Sequence, residues 1–208
     1  MTPKPHRSRR SAALIVVVAL AGCGAVLGVL WSWMAPSIHT VTALTRSGDQ
    51  VDAFLGTESD NLFVAAAMLI GLLSMLAIVS AVLVWQWRPH RGPVLVTALW
   101  IGQLAAGVTA AGAGAMLVRW RYGTPEHQGA PLSPENRVHY LTEAPPVFLG
   151  DGPLQIALNL LLPAAVAALT YAVMAVATPR DDLEGWPPEG HHGFEAASRS
   201  GVRTITGI

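Results

Sequence analysis

Four apolar runs, Ala12–Met34, Leu62–Trp85, Pro93–Val118 and Leu154–Thr178, contain no Asp, Glu, Lys, Arg or His. At 1.5 Å rise per residue, about 20 residues of helix cover roughly 30 Å of hydrocarbon, and every run exceeds that length. Inside a bilayer each backbone N–H and C=O needs a partner within the protein, which leaves helices or closed barrels. The runs lack the period-two alternation of barrel strands, so they read as helices. The expected class is an all-α integral membrane protein, with four transmembrane helices in a bundle and two extracytoplasmic segments. Composition agrees: 52% of residues are hydrophobic and 12% charged, against about 25% charged in soluble domains. Thirteen basic and thirteen acidic residues cancel, so no global field draws nucleic acid, and the bilayer is the first partner implied. The single cysteine, Cys23, excludes an internal disulfide or a multi-cysteine metal site.

Aromatic pairs mark the span ends: Trp31 and Trp33, Trp85 and Trp87, Trp120 and Tyr122. Rings at apolar–polar boundaries are expected at headgroup level. Basic residues set the orientation. Lys4, Arg7, Arg9, Arg10, Arg88, Arg91, Arg180, Arg199 and Arg203 fall on one side, and Arg46, Arg119, Arg121 and Arg137 on the other. The excess places both termini in the cytoplasm of a bacterial inner membrane. Residues 1–11 then form a basic cytoplasmic N-terminus, 35–61 and 119–153 the outer segments, and 179–208 a disordered cytoplasmic tail. Within that tail His191-His192 is only a weak metal signal.

The first run also holds Leu20-Ala21-Gly22-Cys23, the form of a bacterial lipobox. A cleaved lipoprotein leaves the bilayer after its cysteine and is held by acyl chains. Here the apolar run continues through Gly24-Ala25-Val26-Leu27-Gly28-Val29-Leu30-Trp31 to full spanning length. An uncleaved first helix is therefore expected, with Gly24 and Gly28 forming a GxxxG step suited to close helix contact.

In the first outer segment, Ser47-Gly48-Asp49 is a turn signal between β-branched runs. A small hairpin is expected, with a short amphipathic helix over Gln50–Leu55 as the alternative. Asp60 or Asn61 is placed to cap the second span. Asp49, Asp52, Glu58 and Asp60 lack the spacing of a calcium loop and read as a solvated acidic face. In the second outer segment, Pro134–Leu141 after Ser133 suggests two helical turns, and Val147 and Phe148 a dip toward the membrane. Glu135, His139 and Glu143 would share one face of such a helix. They lack an HExxH arrangement, so an amphipathic polar face is expected there and no metal.

Within the spans the polar inventory is Ser74, Ser80, Thr97, Gln103, Thr109, Asn159 and Thr170, groups used as interhelical hydrogen-bond donors and acceptors. Pro163 frees the Asn159 carbonyl and predicts a kink. In the third run Gly102, Ala106, Ala110 and Gly114 recur every four residues beside Gly107, Ala111 and Ala115. This bulk-free face predicts a helix at the centre of the bundle or at an interface with a partner or a second copy. No intramembrane charge, nucleophile–base motif or phosphate loop occurs, so neither an enzyme nor a cofactor is expected.

"LGVLWSWMAP" closing the first span, "DAFLGTESDNLFVAAAMLIGLL" entering the second, the "RPHRGP" turn and the Gly/Ala-rich third span together resemble a family of mycobacterial and related actinobacterial membrane proteins known only as a domain of unknown function. The likeness covers roughly residues 27 to 178. It implies a four-span inner-membrane fold and no catalytic residues. The leading expectation is a non-enzymatic accessory or assembly component of an envelope or respiratory membrane complex. The alternative is a small transporter or channel with a polar pocket near Gln103 and Asn159, and a third reading is an envelope enzyme acting through Glu135 and His139.

Overall fold

The computed structural model describes residues 9–44, 50–87, 92–123 and 138–178. Four helices dominate: α1 (Arg9–Met34), α2 (Ser59–Gln86), α3 (Pro93–Tyr122) and α4 (Pro153–Val176). All four are long and apolar enough to cross a membrane. Three strands, β1 (Ile38–Leu44), β2 (Gln50–Phe54) and β3 (Val138–Glu143), form an antiparallel sheet in the order β2-β1-β3. The chain is therefore mostly helical but not all-α. The loops that carry the strands leave the end of α1, the start of α2, the end of α3 and the start of α4, so the sheet sits at one end of the helices.

Packing follows side-chain bulk. α3 is the most enclosed helix: half of its most apolar window is buried, against 22–28% in the other three. Its closest neighbour is α1. A Cβ on Gly24 would fall on the carbonyl oxygen of Ala106, and one on Gly28 on that of Ala110. The two backbones thus meet with no side chain between them, which only glycine permits. Above and below this contact, Gly102 receives Leu20 and Gly114 receives the Trp31 ring. Thr109 Oγ1 donates to the Ala21 carbonyl at 2.8 Å, also lying within reach of the Ala105 and Ala106 carbonyls. An interhelical hydrogen bond of this kind contributes about 0.6 kcal/mol on average. Gly107, on the next stripe, faces Leu160 of α4.

Trp31 is not a headgroup-level ring as its position at a span end suggests. It is fully buried, and its Nε1 donates to the Ala65 carbonyl of α2 at 2.7 Å. The small side chain space at Gly114 accepts the ring, and a buried indole N–H needs an acceptor. Trp85 packs edge-to-face on Tyr171 of α4, ring centroids 5.1 Å apart. Trp33 and Trp120 do stay exposed. Arg119 and Arg121 belong to the last turn of α3, which runs past Val118 to Tyr122. There their charge complements the carbonyl end of the helix, and Arg121 lies over the Tyr122 ring.

The hairpin forms with Leu44 opposite Gln50, and the stretch expected alternatively as a helix over Gln50–Leu55 is instead strand β2. β3 replaces the helix expected over Pro134–Leu141, of which 134–137 lie outside the described residues; from Val138 onward the chain pairs along β1 from Ala43 to Ile38. Alternating Val, Tyr and Thr suit a half-buried strand. Nor does Asp60 or Asn61 cap α2: Glu58 holds the N-cap position without a side-chain cap bond, and Asn61 Nδ2 donates to the Ser37 carbonyl across the junction. α4 continues unbroken through the buried Pro163.

Replacing Gly28 by Val should force α1 and α3 apart and lower the melting temperature of the purified protein, an overpacking cost of at least about 1–3 kcal/mol. Gly112→Ala, where a Cβ meets nothing, should leave it unchanged or slightly higher. Equal melting of the two variants would contradict the packing described.

Candidate functional site: a strap across the helix ends

Between β3 and α4 the chain crosses the helix ends as a strap, residues 144–151. Two prolines, Pro145 and Pro146, disfavour helix there. Asn159, buried one turn before Pro163, holds the strap like a strand partner: its Oδ1 accepts the Leu149 N–H at 3.2 Å, and its Nδ2 donates to the Leu149 carbonyl at 3.4 Å and to the Gln155 carbonyl at 2.6 Å. Gln155 Oε1 accepts the Gly152 N–H at 2.9 Å at the start of α4. Gly150 turns with φ +88°, and a Cβ there would collide with the Gln155 amide. Only glycine suits that turn.

The strap leaves a cleft on each side. One, of about 290 Å³, lies against the last turns of α3 and the first turn of α4, with Val118, Arg119, Val147, Phe148, Asp151 and Ile156 among its walls. The other, of about 330 Å³, lies against Leu62 and Phe63 of α2. Val147 and Phe148 are half-buried at the level of the terminal helical turns.

At the sheet–helix junction Glu58 Oε2 accepts the His39 backbone N–H and lies 2.8 Å from His39 Nδ1. The backbone hydrogen bond from His39 is the main reason the Glu58 carboxyl ionises below its ordinary value; the His39 ring adds to the effect. Across the sheet Thr40 Oγ1 donates to Glu143 Oε1 at 2.7 Å.

Gln103 and Asn159 do not share a network. Gln103 is fully buried on α3, its Nε2 donating to Ser80 Oγ of α2 at 2.7 Å, and Ser80 in turn to the Ala77 carbonyl. Its Oε1 has no hydrogen-bond partner among the described residues. The helix-packing set falls together: Gly24, Gly28, Gly102, Ala106, Ala110 and Gly114 all lie in the α1–α3 contact, and Gly107 on the side of α4. Of the metal trio, Glu135 lies outside the described residues. His139 and Glu143 share a strand face, but at about 3.3 Å per residue they stand roughly 13 Å apart. Among the described residues no three His, Cys, Asp or Glu side chains gather as a metal site. The tail with His191-His192 lies outside the described residues.

Sequence reasoning missed the strap's fastening and the cleft charges Arg119 and Asp151. The signal for the first was an amide within a helix facing a Pro-rich loop; for the second there was none, since 32 residues separate the pair in the chain.

Four long apolar helices with outward-facing Leu, Val and Phe define a multi-pass membrane protein with a small sheet at one end. Within that class the chain belongs to the family described as protein of unknown function (DUF2567), which matches residues 20–185. It is 51% identical over 172 residues to "Uncharacterized protein Rv1591" of Mycobacterium tuberculosis, covering 82% of this chain and 89% of that one. It is 49% identical over 170 residues to "Uncharacterized protein ML1222" of Mycobacterium leprae, covering 82% and 86%. No solved structure matches.

Asn159→Leu keeps the branched outline of the side chain but strips Leu149 of both backbone partners, at about 1–3 kcal/mol for each group left unsatisfied in a buried setting. Faster hydrogen exchange and new proteolytic cuts within 144–151 are expected, with the helices intact. Unchanged protection would show that the strap is fastened elsewhere.

Proposed function

We propose that the protein is a non-enzymatic accessory or assembly component of a larger complex in the bacterial plasma membrane, its four helices forming a transmembrane bundle with both termini cytoplasmic and the sheet outside. The orientation is supported by the start of α1, with Arg9 and Arg10 in the sequence there, lying at the end opposite the sheet, and by Arg88 and Arg91 falling between α2 and α3 in the sequence.

The observation that carries the reading is the outward face of the sheet. Strand alternation buries Ile38, Thr40 and Thr42 on one face and turns the other out. There Val51, Val138 and Tyr140 are 50%, 43% and 68% exposed, beside half-buried Val41 and Ala43. Lipid explains apolar residues on the helices, but a β-branched and aromatic sheet face beyond the helix ends favours another protein. The small-residue stripe of α3 already has an occupant in α1. A further contact by α3 would fall on its exposed edge, at Trp100, Ile101, Val108 and Met116.

A photo-crosslinking residue at position 140 should capture a discrete partner in native membranes, and Tyr140→Lys should abolish co-purification without lowering the melting temperature. Retained co-purification in Tyr140→Lys would sink the reading.

A second reading, a small transporter or channel, is favoured by the buried Oε1 of Gln103, which has no partner among the described residues. Under it Gln103→Leu abolishes flux in proteoliposomes. Under the accessory reading the same change leaves co-purification intact, the lost Ser80 hydrogen bond being offset in part by removal of a buried oxygen that has no partner among the described residues.

A further inference from the structure

The cleft between α3 and the strap carries one cation, Arg119, and one anion, Asp151, among otherwise mainly apolar walls. Neither side chain has an ion-pair partner among the described residues, and they do not pair with each other. The cleft lies at the level where Trp120 and Trp33 stand exposed, the depth expected for phospholipid headgroups if the helices span a bilayer. Below the charges, Val118 and Ile156 continue the wall toward the apolar surface of the helices.

We propose that this cleft binds a zwitterionic phospholipid, with the phosphate on Arg119 and the headgroup ammonium on Asp151. The charge pattern selects the class. An anionic glycerol headgroup satisfies the guanidinium but brings its negative charge beside the Asp151 carboxylate, whereas a phosphoethanolamine group offers each side chain its opposite. Its ammonium also supplies N–H donors, which a trimethylammonium lacks. The apolar wall then takes the upper acyl chain. Asn159 and Gln155 serve the site from behind by holding the strap and the turn at Gly150 that present Asp151. The proposal rests on the membrane reading of the helices and is independent of the partner proposed for the sheet.

The test uses the full chain in bilayer nanodiscs with equal phosphatidylethanolamine and phosphatidylglycerol, followed by native mass spectrometry of the retained lipid. Failure to enter nanodiscs would overturn the membrane reading and this site together, and it is seen before any lipid is counted. The expected result is preferential retention of phosphatidylethanolamine. Arg119→Gln should reduce it about tenfold, equivalent to 1.4 kcal/mol, and Asp151→Asn should bring the preference between the two lipids to about one. Both residues are exposed, so melting temperatures should stay at the wild-type value. Equal retention of both lipids by the wild type, or an unchanged preference in either variant, would overturn the proposal. Displacement by soluble glycerophosphoethanolamine would overturn the lipid as occupant in favour of a free phosphoester.

Discussion

The backbone contact between α1 and α3 at Gly24 and Gly28 is the constraint on which the other helix positions depend. In hydrocarbon, apolar side chains gain little by leaving lipid for protein, so helix association relies on close packing and interhelical hydrogen bonds. Two glycines against the Ala106 and Ala110 carbonyls provide that closeness. Once α1 sits there, the Trp31 ring has one place to go, over Gly114, and its N–H reaches Ala65 on α2. One ring thus ties three helices at the sheet end, while the Gln103–Ser80 bond ties α3 to α2 deeper in.

The same contact sorts the surfaces. With its small residues engaged within the chain, α3 presents large apolar side chains to its surroundings, as α1, α2 and α4 do. What differs chemically lies at the sheet end: an exposed Val/Tyr sheet face, a junction held by the ionised Glu58, and a Pro-rich strap with charged and apolar groups beside each other. Relatives in Mycobacterium tuberculosis and Mycobacterium leprae that share half of the sequence over most of its length provide natural variants of those surfaces.

Helix number and extent were legible in the sequence because uncharged runs of bilayer length without period-two alternation fit helices and not barrel strands. The GxxxG step and the Gly/Ala stripe announced a close contact, but whether the stripe met α1 or another chain was not, since spacing on one helix says nothing of its partner. The antiparallel pairing of β1 with β2 was readable from the turn signal in the sequence between them; β3 was not, because Val138–Glu143 fits helical and strand periods equally until β1 supplies its hydrogen-bond partners. Trp31 was misplaced for a similar reason: a tryptophan near a span end fits the headgroup layer by rule, and only the empty space at Gly114 draws it inward. Asn159 stood out as a polar group in a helix, yet its use depends on a loop ten residues earlier in the chain.

The most direct measurement is disulfide trapping of α1 on α3 in native membranes. Ala21→Cys and Thr109→Cys, in a Cys23→Ala background, place thiols on the two helical turns that the 2.8 Å bond from the Thr109 hydroxyl to the Ala21 carbonyl joins. Packing of the stripe within one chain requires oxidation to give an intramolecular bond, with the monomer mass retained and no free thiol. A covalent dimer as the main product would show that the stripe joins two chains and would contradict the arrangement described.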